Sequence, residues 1–257
     1  MGVVPNMLAT DSSDFGFTAQ DLIKHAVASI DAADCFSEPF PHIFFRNFFP
    51  DTFYDRMLKS LPKNGFSSIS KNATRLELQL YDRHIDRIEA PLRHLWSIVS
   101  GALTSREVED AIRRQLRNGL EIRARGDKVA GPDGLNMVAR PVIYIDKDGY
   151  KINPHPDTRK KVVTMQLYCP ADESQRALGT TLYQASLKGL LHVGSYGLEP
   201  VKTFPFLPNV GYAFVVLKAN HSLTGMSWHG RPTIKTTSDR PRVSLLNTFY
   251  VNETVKP

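Results

Sequence analysis

The feature that most constrains this chain is a change of rhythm near residue 137. From Met137 onward the sequence runs in short β-branched and aromatic stretches: Val138–Ile145, Lys161–Tyr168, Thr180–Tyr183, Tyr212–Leu217 and Val243–Val251. Turn signals separate them at Asp148-Gly149, Cys169-Pro170-Ala171-Asp172 and Pro208-Asn209. Such runs between turns read as strands, and several of them in succession make a sandwich, barrel or jelly roll.

Before residue 130 the period is mostly helical. Thr18 and Asp21 form a capping box, and Leu22, Ala26 and Ile30 follow as an apolar stripe. Asp51 opens a short helix with Phe53, Met57 and Leu61 on one face. A helix from about Ala90 carries Leu95, Trp96, Val99 and Leu103. Thr104 with Glu107 caps a further helix, Ser105 to Leu116, which Asn118-Gly119 is expected to stop. Two stretches in this half read as strands: Ile43-Phe44-Phe45, and the alternation of Leu76, Leu78 and Leu80 with Glu77 and Gln79. The expected architecture is mainly β with N-terminal α, the helices buttressing a β core.

Composition narrows the function classes. At 257 residues, 42% hydrophobic and 23% charged, the chain can bury a core without staples. Two cysteines, Cys35 and Cys169, lie too far apart in sequence to suggest a disulfide framework or a Cys/His zinc finger. No basic and apolar leader opens the sequence, and no apolar run approaches the ~18 residues of a membrane span. These points lead to an expectation of a cytoplasmic protein without membrane partners. The net charge of +6 is spread out, and its densest stretch, Arg106 to Arg125, alternates with acids at helical spacing. No nucleic-acid-binding motif accompanies it.

Chemistry concentrates in two places. In Asn153-Pro154-His155-Pro156-Asp157, the imidazole and the carboxylate are two residues apart and leave the same side of an extended chain. Alone, the triplet reads better as a histidine bonded within a surface turn. The second place is Ser227-Trp228-His229-Gly230, followed by Arg242-Val243-Ser244. Two histidines and one carboxylate form the facial triad of non-haem Fe(II) oxygenases, and the same trio can bind zinc. His221 rivals His229, and Arg240 rivals Arg242, although Pro241 favours a strand that begins at Arg242. His192 reads as packed or solvated.

In order, His155-x-Asp157, His229 and Arg242-x-Ser244 resemble the Fe(II)/2-oxoglutarate-dependent dioxygenases, over about residues 137–252. Lys161–Tyr168 is similar to the strand that follows the first ligands in that family. Gly179-Thr180 is similar to its glycine-rich turn, with Thr180 in place of the second glycine. The resemblance implies a double-stranded β-helix (jelly roll) within a single catalytic domain, 1–257. Residues 1–130 would be a mainly helical support segment, and 131–257 the core with the metal site. It also implies Fe(II) held by His155, Asp157 and His229, with 2-oxoglutarate as cosubstrate and O2 as oxidant. Arg242 would anchor the far carboxylate of 2-oxoglutarate with Ser244 and Tyr168, while Thr164 and Gln166 line its pocket. Asp157 occupies the position that halogenating members leave to a halide, so hydroxylation is implied.

The substrate is expected to be a small molecule, an amino acid or a natural-product intermediate. Tyr144, Tyr150, Asn153 and Trp228 stand near the ligands in sequence as its candidate contacts. A hydroxylase of a peptide or protein side chain is a second reading. A non-catalytic cupin-like metal-binding module is a third, and it would not need the Arg242/Ser244 anchor. The chain is expected to act as a monomer or homodimer.

Overall fold

The strands of the second half find partners far away in sequence, and that pairing builds the cavity. The computed structural model describes residues 16–69, 73–186, 197–222 and 225–251; His192 and residues 1–15 lie outside these. The elements in chain order are α1 (Ala19–Asp31), β1 (Asp34–Phe36), β2 (His42–Arg46), α2 (Asp51–Lys59), β3 (Ser67–Ser68), β4 (Arg75–Gln79), α3 (Ala90–Leu103), α4 (Arg106–Gln115) and α5 (Arg117–Asp127). They continue with β5 (Met137–Asp146), β6 (Ile152–His155), β7 (Lys161–Tyr168), β8 (Thr181–Ala185), β9 (Leu198–Thr203), β10 (Val210–Val215), β11 (His229–Arg231) and β12 (Arg242–Val251).

One sheet has the order β1-β2-β10-β7-β12-β5-β4-β3, and the other β6-β11-β8-β9. All pairings are antiparallel. From β5 to β12 the chain passes back and forth between the two sheets, which is the jelly-roll arrangement. The first half is less purely helical than expected, since β1 to β4 extend both edges of the larger sheet.

The larger sheet is covered on both faces, so its central strands read as continuous buried runs rather than as an alternation. Val163, Met165, Leu167, Ala213, Val215 and Leu245 point outward into one apolar core with Leu22, Ala26, Trp96, Val99 and Ile112 from the helices. Tyr168, Tyr212 and Phe214 point inward and pack with Leu182 and Phe204 of the smaller sheet's side. Asn247 ties strand to helix by donating to the Leu103 carbonyl (2.7 Å).

Local sequence explains most helix ends, with two corrections. Thr18 and Asp21 make the reciprocal capping box. At α4 the cap is Ser105, whose Oγ accepts from the Val108 amide (3.3 Å); Thr104 instead donates back to the Ser100 carbonyl. Asn118-Gly119 does not stop the helical run. Gly119 lies inside α5, where an added Cβ would come within 2.8 Å of Val215 and 2.9 Å of Pro41. The glycine is there for close helix-to-sheet contact rather than for a turn. Among the described residues, no helix is long and apolar enough to cross a membrane.

Candidate active site

A cavity of about 90 Å³ opens between the sheets. Its wall combines His155, His229 and Arg231 from the smaller sheet with Lys161, Thr164, Gln166, Tyr212 and Leu246 from the larger one.

At one end lies a set of three ligand-type groups. The register pairs His229 of β11 with His155 of β6, and Asp157 follows two residues past His155. One ligand atom from each of His155, Asp157 and His229 lies within 4.8 Å of the others. The Nε2 of His155 is 3.9 Å from Asp157 Oδ1, and the Nε2 of His229 is 3.7 Å from Oδ2. Each Nδ1 faces a backbone carbonyl: Asn153 for His155 (3.0 Å) and Ser227 for His229 (2.9 Å). A carbonyl can only accept, so Nδ1 carries the proton and Nε2 keeps its lone pair for a metal.

The carboxylate is equally prepared. Thr164 donates to Asp157 Oδ2 (2.6 Å) and the Lys161 ammonium donates to Oδ1 (2.7 Å). A register shift of β7 against β12 admits one extra residue after Lys161, which lets Lys161 share a face with Thr164. Burial favours the protonated carboxyl, but His229, Lys161 and Thr164 outweigh it and hold Asp157 well below the usual carboxylate range. Burial pushes the His229 imidazole down to about 4, against the pull of Asp157. At neutral pH His229 therefore offers a neutral imidazole beside an ionised Asp157, and with the Nε2 of His155 they make a donor set that fits one divalent metal.

The other end is an arginine cluster. Asp146, fully buried at the end of β5, is gripped by three guanidiniums. Arg75 forms a fork onto it (2.5 and 2.9 Å), Arg231 donates to Oδ2 (2.8 Å), and Arg242 donates to the same oxygen (3.0 Å). The β12–β5 register sets Arg242 opposite Asp146, and the β4–β5 register sets Arg75 opposite it from the other side. Burial would raise the Asp146 carboxyl, but Arg75, Arg242 and Arg231 hold it low. Burial and then Arg242 lower Arg231 to about 10, so it stays charged at neutral pH. Three positive charges against one negative leave an excess of two in a buried place. Two donors there, Arg231 Nε and Arg242 Nη2, are buried without a hydrogen-bond partner among the described residues. Leaving a buried donor unpaired costs ~1–3 kcal/mol, more for charged groups. The cluster is thus built to receive an anion.

Between the ends runs a polar relay. Gln166 donates to Ser244 Oγ (2.9 Å) and accepts from the Tyr212 hydroxyl (2.7 Å), which also reaches Thr180 (3.1 Å).

The sequence-predicted residues divide accordingly. Thr164, Gln166 and Tyr144 line the cavity. Arg242, Ser244 and Tyr168 stand behind its wall. Ser244 is occupied by Gln166 and Arg242, and the Tyr168 hydroxyl accepts from the Thr180 amide (3.0 Å). The phenol in the wall is Tyr212. Tyr150 is buried against the Arg75 guanidinium (4.0 Å). Asn153 is exposed and contributes only its carbonyl. Trp228 is half-buried, and its carbonyl accepts from the Tyr183 amide. His221 is turned away, with Nε2 on Asp127 (2.8 Å) and Nδ1 on the Lys218 amide (2.8 Å). Arg240 pairs with Asp172 on the exterior. Sequence reading missed Arg75, Asp146 and Arg231. Only Arg231 had a usable signal, two residues past His229 on one strand.

No protein-family model matches the chain, and no curated protein matches it. Solved structures similar to it include a prolyl-4-hydroxylase from Pseudomonas putida, 13% identical, with a TM-score of 0.44 over 89% of this chain and 98% of that one. Another is a prolyl hydroxylase from Trichoplax adhaerens in complex with a hypoxia inducible factor peptide fragment (10%, TM-score 0.48, 91% of each chain). A third is HygX from Streptomyces hygroscopicus, solved with nickel, 2-oxoglutarate and hygromycin B (8%, TM-score 0.47, 82% of this chain and 83% of that one). At such identities, function has to be read from the side chains of the site itself.

Proposed function

We propose that the protein is an Fe(II)/2-oxoglutarate-dependent dioxygenase that hydroxylates an unactivated C–H bond of a small molecule, with succinate and carbon dioxide as co-products. The observation that carries this reading is one cavity with a His/Asp/His donor set at one end and surplus buried guanidinium charge at the other. A 2-oxo dicarboxylate has matching ends, a keto acid that chelates and a carboxylate that needs a cation. A cupin-like or structural zinc site would have no use for the second end.

His155, Asp157 and His229 would hold the iron. Iron, 2-oxoglutarate and O2 together supply the oxidising power that the side chains lack. The protein's part is placement. The Asn153 and Ser227 carbonyls fix the two imidazoles, and Thr164 orients the carboxylate. The arginine cluster draws the distal carboxylate to the far end. Ile152, Tyr144 and Leu246 line the same cavity and limit the water in it. Asp157 fills the position a halide would need, which favours hydroxylation.

The test is succinate release from 2-oxoglutarate with Fe(II) and ascorbate across a panel of amino acids and small metabolites under 18O2. Substrate-stimulated succinate and a product carrying the label are expected. A panel that includes peptides and stimulates turnover only with peptides would move the substrate class. No succinate under any condition would remove the enzyme reading.

A further inference from the structure

We infer that Arg231, and not Arg242 alone, receives the distal carboxylate of the cosubstrate. One short strand, β11, would then carry a metal-end histidine and the anion-end anchor together. This inference rests on the function proposed above.

Three observations separate the two arginines. First, Arg231 lines the cavity and Arg242 does not. His229 and Arg231 are two apart on β11, the spacing that returns a strand's side chains to one face. Second, Arg242 is held in place on several sides. Its Nε donates to the Leu178 carbonyl (2.7 Å), its Nη1 to Asp146 (3.0 Å) and Ser244 (3.3 Å), and its guanidinium lies against the rings of Phe206 (4.4 Å) and Tyr168 (5.1 Å). Third, Arg231 has one firm bond, Nη1 to Asp146. Among the described residues its Nη2 makes only long contacts, with Thr180 (3.3 Å) and Gln166 (3.5 Å), and its Nε has no partner while the residue is 6% exposed.

Asp146 explains how both arginines can serve one anion. Its Oδ2 accepts from Arg231 and Arg242 together, which brings the two guanidiniums side by side with their unpaired donors nearby. Arg242 then acts as a fixed support, and Arg231 as the group that meets the ligand. Thr180 and Tyr212 border Arg231 in the cavity wall, with the Tyr212 hydroxyl donating to Gln166 and Thr180.

The test is calorimetry on Fe(II)-loaded protein under argon, with 2-oxoglutarate and with pyruvate, which keeps the keto acid but lacks the distal carboxylate. Arg231→Gln should weaken 2-oxoglutarate binding on the order of 100-fold, the scale of breaking a buried charge pair. Pyruvate and Fe(II) affinities should stay as in the wild type. Arg231→Lys keeps a charge beside Asp146 and guards against loss of fold. It should retain the thermal midpoint and still lose roughly tenfold in 2-oxoglutarate affinity, because an ammonium cannot form the fork. Undiminished 2-oxoglutarate binding in Arg231→Gln, with the loss appearing in Arg242→Gln alone, would overturn the inference. So would equal losses for pyruvate and 2-oxoglutarate. A wild type that binds Fe(II) but no 2-oxoglutarate would bring down the proposed function and this inference with it.

Discussion

At one end of the cavity, the three metal-ligand candidates come from two short stretches of sequence, and two of them are neighbours but one. At the other end, Arg75, Asp146, Arg231 and Arg242 come from four different strands, β4, β5, β11 and β12. The first group converges because a local extended chain and one strand pairing suffice. The second exists only once β5 has been flanked by β4 and β12 and faced by β11. The ends also differ in balance. Asp157 keeps a partly exposed lysine beside it, whereas Asp146 is sealed with no exposure among three cations. The metal end is therefore tuned for exchange of one cation for another. The arginine end ties β4, β5, β11 and β12 together through Asp146.

The largest effect should come from exchanging the two carboxylates. Asp146→Asn leaves three arginines gathered around a neutral amide and should cost ~3–5 kcal/mol of unfolding free energy, measured in urea. Asp157→Asn should cost clearly less, since Lys161 is 19% exposed and can turn to water, while Fe(II) binding is lost. Equal destabilisation by the two would erase the contrast drawn between the ends.

pH should separate them next. His229 is pushed to about 4, below its ordinary 6.5, so the unfolded chain takes up the proton first. Stability from this group is present above pH 6.5 and drains as pH falls towards 4, by roughly 3 kcal/mol for a gap of that size. Asp146 is held low and stays ionised in the folded protein, so the anion end should add slope only below about pH 5, where the unfolded carboxyl begins to take up a proton. His42, a second buried imidazole, is also pushed to about 4, chiefly by burial, and the metal-free protein is best studied with His42→Phe. In that background His229→Gln should reduce the slope between pH 6.5 and 4, leaving the part due to His221, which burial also lowers. A slope that persists unchanged would place the titrating group elsewhere.

A smaller change should sharpen the metal end alone. Lys161 donates to the carboxylate oxygen that a divalent ion would compete for. Lys161→Met should raise Fe(II) affinity by roughly tenfold, about 1.4 kcal/mol, measured by equilibrium dialysis under argon. Binding of the distal carboxylate should be unmoved.

Much of this arrangement was legible in the sequence. The β runs after residue 137 and the shared face of Thr164 and Gln166 can be read from period, whereas joining His229 to His155 and Asp157 takes the family resemblance. Gly119 was misread because a glycine ending a turn and a glycine admitting a close neighbour look alike until Val215 and Pro41 are in place. Arg75 was hidden for a similar reason. The Leu76, Leu78 and Leu80 alternation reveals β4, but not that its polar face turns inward beside Asp146. Arg242 was noticed as a cation on the right strand. Its capture by Asp146 depends on the β12–β5 register, which no short motif encodes.

The central claim is that one dianion spans both ends, and calorimetry on the wild-type protein tests it most directly. Under argon, 2-oxoglutarate would be titrated into the protein with and without Fe(II), alongside glutarate, which has two carboxylates but no keto group, and pyruvate. The account predicts that 2-oxoglutarate with Fe(II) binds far more tightly than either partial ligand, and that removing the metal reduces it to the level of glutarate. Pyruvate binding as tightly as 2-oxoglutarate, or 2-oxoglutarate affinity indifferent to Fe(II), would contradict it.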